Sequence, residues 1–262
     1  MRIVRFQHGK QAQPAWGWIS GDRVGMLEGD LFGSYRCKEP HVALEAVHLL
    51  APVLPGKVMA VGRNFAAHAD EHGAEVPALP LLFLKAPSAL LDPGQPIILP
   101  PQSTQVEHEA ELAVILGRGG RWIQPEQARS HILGYTAAND VTARDLQNAD
   151  GQWTRAKGFD TFLPLGPWIE TELDPSDVLI TGSVNGQMRQ MASTRDMVFS
   201  VPQLIAFVSS VMTLFPGDVL LTGTPAGVGP LLPGDSVSIE IEGIGVLTNP
   251  VQADRHPTGV PD

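Results

Sequence analysis

Two glutamates, Glu109 and Glu111, stand one residue apart at the entrance to an unbroken apolar run, Leu112-Ala113-Val114-Ile115-Leu116. A short apolar run of this kind, bounded by polar residues, reads as a buried strand, and a strand sends residues two apart to the same face. Both carboxylates are therefore carried toward the interior side by side. Two like charges held together away from water repel and are costly to desolvate. A divalent cation with hard oxygen ligands, such as magnesium, calcium or manganese, removes that cost. Asp140, which closes the strand-like Gly134–Asn139, is the candidate third ligand. Three carboxylates plus waters make an octahedral site with positions open to substrate. Spacing alone leaves a second reading open, in which the glutamates line a solvated strand face and Asp140 caps a turn.

The rest of the chain is consistent with a mainly β fold. Its 262 residues include 27 glycines and 23 prolines, which favours many turns over a helical bundle. Strand-like pieces at Arg2–Phe6, Ala15–Ile19 and Arg23–Leu27 suggest a small N-terminal β unit over residues 1–54. A proline-containing joint, Ala51–Gly56, then leads into a main body over residues 55–262. Lys57–Gly62, Leu81–Leu84, Ile97–Leu99, Val219–Leu221 and Val237–Ile241 are predicted strands, the last two introduced by Pro-Gly-Asp turns. The spacing predicts one or two helices: a short one at Pro125–His131, and Val201–Met212 with an apolar face of Leu204, Ile205, Val208, Val211 and Met212. The sheet of the main body is expected to be rolled or barrel-like.

Composition excludes several classes of function. A formal charge of −10 opposes non-specific nucleic-acid binding and repels acidic substrates at long range, so an anionic ligand needs a local cationic site. No apolar stretch is long enough to span a membrane, and the first residues lack the apolar core of a secretory signal. Cys37 has no partner for an internal disulfide, which fits a cytoplasmic location.

Other residue groupings carry chemistry. His68 and Glu71, three apart, share a face on a short helix, where a carboxylate orients an imidazole as a base toward water. An incidental surface pair is the bland alternative. The flanks, Gly62-Arg63 and Gly73 through Pro80, allow that segment to act as a lid. Lys157 lies among turn-like residues; a lone lysine there is usually a solvated charge, and the alternative is that it stabilises a developing enolate or a substrate carboxylate. Arg144 and Asp145 read as a structural ion pair. The glycine-rich Gly223–Gly229 lacks the ending of a phosphate loop, but can bring backbone amides and the Thr224 hydroxyl to a substrate carboxylate.

Taken together, Val61-Gly62-Arg63-Asn64-Phe65, His68-x-x-Glu71, Phe83-Leu84-Lys85, His108-Glu109-Ala110-Glu111-Leu112 and Asn139–Asp145, followed in order by Lys157, Asn185-Gly186 and Leu221–Pro225, resemble the fumarylacetoacetate hydrolase family. Phe65 stands where tyrosine is common. The resemblance implies a mixed, mainly β roll with few helices, usually a homodimer, and an N-terminal unit without catalytic residues. It implies magnesium or manganese on Glu109, Glu111 and Asp140, with calcium able to take the place in crystals. His68 and Glu71 become a water-activating dyad on the lid, Lys157 a charge stabiliser, and Arg63, Gln147 and Thr224 substrate contacts. The substrates implied are small 2-oxo or 2,4-dioxo acids. Their carboxylate and 2-oxo oxygen chelate the metal, and an enolate forms at that oxygen. The dyad points to hydrolysis of a C–C bond of acylpyruvate type. The alternatives are isomerisation or decarboxylation in aromatic catabolism, on 2-hydroxyhepta-2,4-diene-1,7-dioate or 5-carboxymethyl-2-hydroxymuconate, and decarboxylation of oxaloacetate. A metal-dependent dicarboxylate-binding protein is the non-enzymatic alternative.

Overall fold

The apolar run after Glu111 is the centre of the molecule. In a computed structural model, which describes residues 1–9, 13–71 and 73–255, Ala110–Leu116 is a strand with every residue buried. Residues 256–262, the end of the expected main body, lie outside the described residues. The strand runs antiparallel to both neighbours, Ile132–Asn139 and Val219–Leu221. A strand enclosed on both sides and both faces reads as a continuous apolar run rather than an alternating one, and this one does from Leu112 to Leu116, Glu111 being the exception.

The large sheet continues outward from it. On one side follow Leu163–Glu170, Arg2–Gln7, Ala15–Ser20, Arg23–Gly29 and Tyr35–Cys37; on the other, Val58–Gly62 and Leu81–Lys85. A second sheet, in the order Ile97–Leu99, Gly245–Ala253, Ser236–Ile241, Leu179–Val184 and Gln187–Ser193, packs against the central strands of the first. A small third sheet joins Thr142–Ala143, Val106–His108 and Gly229–Pro230. One apolar core fills the space between, as expected for a mainly β protein with few helices.

The N-terminal strands are hydrogen-bonded into this body. Arg2 and Ile3 pair with Glu170 and Ile169, and Ile3, Leu27, Leu31, Ala51 and Val53 belong to the main core. Val4, Phe6, Ile19 and Val24 form a smaller cluster of their own.

The helices depart from expectation in three ways. Val201–Val211 is a helix with a capping box from Ser200 and Gln203, and Leu204, Ile205 and Val208 are buried as expected. Val211, however, is 52% exposed, because the helix ends there and Met212 is already extended. Ser209 takes the buried place instead, accepting the Ile123 N–H at 2.9 Å and donating to Ala206 O. Pro125–His131 is a 3-10 rather than an α-helix. Finally, Arg144–Asp150 and Thr154–Gly158 are α-helices, so Lys157 sits on a helical turn and not in a loop. Neither segment is long enough to show a 3.6-residue apolar period. Burial of Arg144, Ala156 and Lys157 holds them in place.

Candidate active site

The strand bearing the two glutamates is interrupted at Glu109, which lies between the paired segments Val106–His108 and Ala110–Leu116. The break is bridged by the adjoining strand end: Asp140 N–H donates to Glu109 O at 2.9 Å, and Glu109 N–H donates to Asn139 Oδ1 at 2.9 Å. Those bonds bring the ends of two neighbouring strands into register. Carboxylate oxygens of Glu109, Glu111 and Asp140 consequently lie within 4.8 Å of one another, all three residues buried.

Cations surround the triad. Lys157 Nζ lies 2.7 Å from Glu109 Oε2 and 2.7 Å from Asp140 Oδ2. Lys85 Nζ lies 2.6 Å from Asp140 Oδ1 and donates to Lys157 O at 2.6 Å. Arg144 reaches Glu109 Oε1 at 2.6 Å and Glu107 Oε2 at 2.8 Å. Among the described residues Glu111 makes no ion pair; its Oε2 accepts the Gly223 N–H at 2.7 Å.

This asymmetry sets the protonation of the site. Burial acts to raise the Glu109 carboxyl, but the Lys157 ammonium, then Arg144, then His68 outweigh it and hold Glu109 well below the usual carboxylate range. Glu111 is pushed well above that range, first by burial and then by the charges of Asp140 and Glu109. Lys157 is raised despite its burial because Asp140 and Glu109 favour its charged form, whereas burial lowers Lys85. The site thus lacks positive charge at Glu111. Three buried carboxylates with no soft ligand among them are a hard-oxygen donor set, and a divalent cation of the magnesium or manganese type fits it.

Above the triad opens a cleft of about 220 Å³. His68, Glu109, Glu111, Asp140, Lys157, Arg63, Gln147 and Thr224 all line it. Glu71 does not, but stands behind His68, with Oε2 3.4 Å from His68 Nδ1. Arg63 is half-buried, has a left-handed backbone (φ 59°), and forms no ion pair among the described residues. Gln147 accepts from Arg144 through Oε1 at 2.5 Å, so its amide N–H groups are directed elsewhere. Thr224 donates its hydroxyl proton to Ala110 O at 2.9 Å. A lone pair is what that hydroxyl can offer a substrate. The amides of the glycine-rich loop are likewise used within the protein, by Gly223 on Glu111 and by Gly227 on Glu71.

Several residues escaped the sequence reading. Arg144 does not pair with Asp145; it turns inward to Glu107 and Glu109, while Asp145 accepts from Ser103, Thr104 and the Leu146 N–H. Adjacency in sequence suggested the pair, but the two side chains leave the helix start in different directions. Lys85 contacts Asp140, 55 positions further along the chain, which no local spacing reveals. Phe83 and Trp153, in edge-to-face contact with ring centroids 5.1 Å apart, form an apolar wall of the cleft.

Fold and site together define a mainly β enzyme scaffold with a buried acidic triad suited to a divalent cation. The sequence pattern described as fumarylacetoacetate (FAA) hydrolase C-terminal matches residues 57–252, and an Rv2993c-like N-terminal pattern matches residues 1–52. The chain belongs to the fumarylacetoacetate hydrolase family, whose members are enzymes. Protein Rv2993c of Mycobacterium tuberculosis is 52% identical over 211 residues, covering 79% of this chain and 80% of its own. The mitochondrial oxaloacetate tautomerase FAHD2B of Bos taurus is 39% identical, covering 96% and 91%. Among solved structures, a 5-carboxymethyl-2-hydroxymuconate delta-isomerase from Mycobacterium smegmatis superposes with a TM-score of 0.90 at 46% identity, covering 97% of this chain and 100% of that one. A maleylpyruvate hydrolase from Sphingobium sp. SYK-6, in complex with manganese (II) ion and pyruvate, superposes at 0.79 with 32% identity and the same coverage. No helix among the described residues is long and apolar enough to cross a membrane.

Proposed function

We propose that the protein is a divalent-cation-dependent enzyme that moves a proton on small 2-oxo dicarboxylic acids, interconverting keto and enol forms or shifting a double bond. One observation carries the reading: three buried carboxylates and a buried imidazole backed by Glu71 face the same small cleft. The similarity to a tautomerase and an isomerase over nearly the whole chain supports proton transfer as the reaction. Glu109, Glu111 and Asp140 would hold magnesium or manganese, which when bound polarises a carboxylate and its adjacent 2-oxo oxygen.

The remaining chemistry belongs to the side chains. With Nδ1–H directed at Glu71, His68 has Nε2 as its basic nitrogen and takes the proton from C3 of the acid; Glu71 stabilises the resulting imidazolium. Lys157, kept charged by Asp140 and Glu109, supplies positive charge where negative charge develops on the 2-oxo oxygen. Gln147, oriented by Arg144, donates its amide to the bound acid. The guanidinium of Arg63 suits the second carboxylate of a dicarboxylic acid.

Hydrolysis of a C–C bond, the leading expectation from sequence, is the second reading. It is favoured by the dyad, which can equally take a proton from water for attack on a second carbonyl, and by the similarity to a hydrolase holding manganese and pyruvate. Incubation with Mn²⁺ in deuterium oxide separates the two: proton transfer places deuterium at C3 of oxaloacetate, whereas hydrolysis releases pyruvate from an acylpyruvate. In His68→Ala, deuterium incorporation is expected to fall about 10²- to 10⁴-fold while Mn²⁺ affinity is retained. Incorporation at the wild-type rate in that variant would overturn the role given to His68.

A further inference from the structure

The loop Gly223–Gly227 touches both halves of the site. At one end Gly223 N–H donates to Glu111 Oε2 at 2.7 Å. At the other, Gly227 N–H donates to both Glu71 oxygens, at 3.0 and 3.2 Å. Both glycines have positive φ, 96° and 97°, and a Cβ on Gly227 would stand 2.0 Å from Arg189 O. The loop therefore lies against the strand Gln187–Ser193 with no room to spare.

Between its ends the loop is tied to the glutamate-bearing strand by the Thr224 hydroxyl, which donates to Ala110 O at 2.9 Å, and to the strand Gln187–Ser193 by Gln190. Gln190, fully buried, donates from Nε2 to Thr224 Oγ1 at 2.7 Å and to Pro225 O at 2.8 Å. Its Oε1 accepts from Ala110 N–H at 2.9 Å and from His108 Nδ1 at 3.0 Å. A backbone donor at one end and a backbone acceptor at the other fix which atom is oxygen and which nitrogen. All of the capacity of this amide is thus spent joining the glutamate-bearing strand to the loop that holds Glu71.

We propose that Gln190 is a positioning residue, and that it tensions Gly223–Gly227 as a strap setting Glu71, and through it the His68 ring, at a fixed distance from the three carboxylates. The strap rests on the reading of His68 as the base, but its geometry can be tested without turnover. Amide hydrogen exchange over Ala66–Glu71 reports whether that helix is held. In Gln190→Met, which keeps the length of the side chain, and in Gly227→Ala, whose Cβ would force the loop away from Arg189 and Gln190, exchange there is expected to quicken about tenfold or more. Glu71→Ala should do the same, and Gln190→Met combined with Glu71→Ala should add nothing further, because both cut one connection. Wild-type exchange at Ala66–Glu71 in Gly227→Ala, or additive effects in the double variant, would overturn the proposal. If Gln190→Met does not fold, Gln190→Glu, which keeps the acceptor to Ala110 and loses the donors to Thr224 and Pro225, is read in its place. With substrate, Gln190→Met is expected to lower kcat about ten- to hundredfold with KM within about threefold, and to move the pH limb set by the imidazole. A raised KM with kcat kept would overturn it. If the wild-type protein turned over no 2-oxo acid, the functional reading would fall and the exchange data would still judge the strap.

Discussion

Lys85 Nζ and Asp140 Oδ1 lie 2.6 Å apart, with side-chain exposures of 0% and 1%. Asp140 keeps Lys157 at 2.7 Å on its other oxygen, but among the described residues Oδ1 has no cation besides Lys85, so losing Lys85 leaves part of a buried charge uncompensated. Lys85→Met should therefore destabilise the cation-free protein by about 3–5 kcal/mol, read from the urea midpoint at unchanged slope. Saturating Mn²⁺ is expected to recover part of that loss, since an ion on Asp140 replaces the missing positive charge.

Glu111 ties cation binding to pH. Its carboxyl is pushed well above the ordinary 4.5, so in the cation-free protein it contributes stability present below that value and lost as pH rises through its raised value. Glu109, held down by Lys157 and Arg144 against its burial, acts oppositely: its contribution is present above 4.5 and lost as pH falls through the lowered value. A cation competes with the Glu111 proton, so Mn²⁺ binding is expected to release protons at pH values below the raised value and to tighten as pH rises toward it. Titration calorimetry in buffers of different ionisation enthalpy measures both, and a Glu111→Gln variant should release none.

Arg63 has no anionic partner of its own among the described residues and faces the cleft. Replacing it with methionine should raise KM for a 2-oxo dicarboxylic acid about tenfold or more, the worth of a hydrogen bond to a charged group, and leave KM for a monocarboxylic 2-oxo acid nearly unchanged. Steady-state kinetics on such a pair of substrates checks this.

Trp153 lines the cleft beside Gly62 and Phe83. A Cβ on Gly62 would lie 2.7 Å from the indole, and Phe83 packs edge-on against it, so the ring cannot retreat. Trp153→Ala is expected to shift kcat/KM toward a seven-carbon diacid over a four-carbon one by about tenfold, measured by competition between the two.

The parts of this site visible in the sequence are those set by short-range geometry. Strand alternation placed Glu109 beside Glu111, helical spacing placed His68 near Glu71, and Asp140 was marked by the strand it closes. What stayed hidden depends on partners distant in the chain. Nothing around Lys85 indicates that its ammonium will be buried against Asp140, and nothing near Gln190 points to Ala110 or Pro225. Arg144 was given its sequence neighbour as partner because local reading has no access to Glu107 across the small sheet. The apolar period continues through Val211, past the point where the backbone leaves the helix, so periodicity alone places in the core a residue that the structure exposes.

The pairing of Arg2 and Ile3 with Glu170 and Ile169 has a consequence away from the catalytic cleft. Those first residues cover the flank of Leu163–Glu170 and seal an apolar seam with Ile3. A shortened protein beginning near Val58 would bare that selvedge, and exposed backbone N–H and C=O groups template the addition of foreign strands. The small leading unit, none of whose described residues lines the cleft, would then serve the protein by keeping its copies from fusing into fibres.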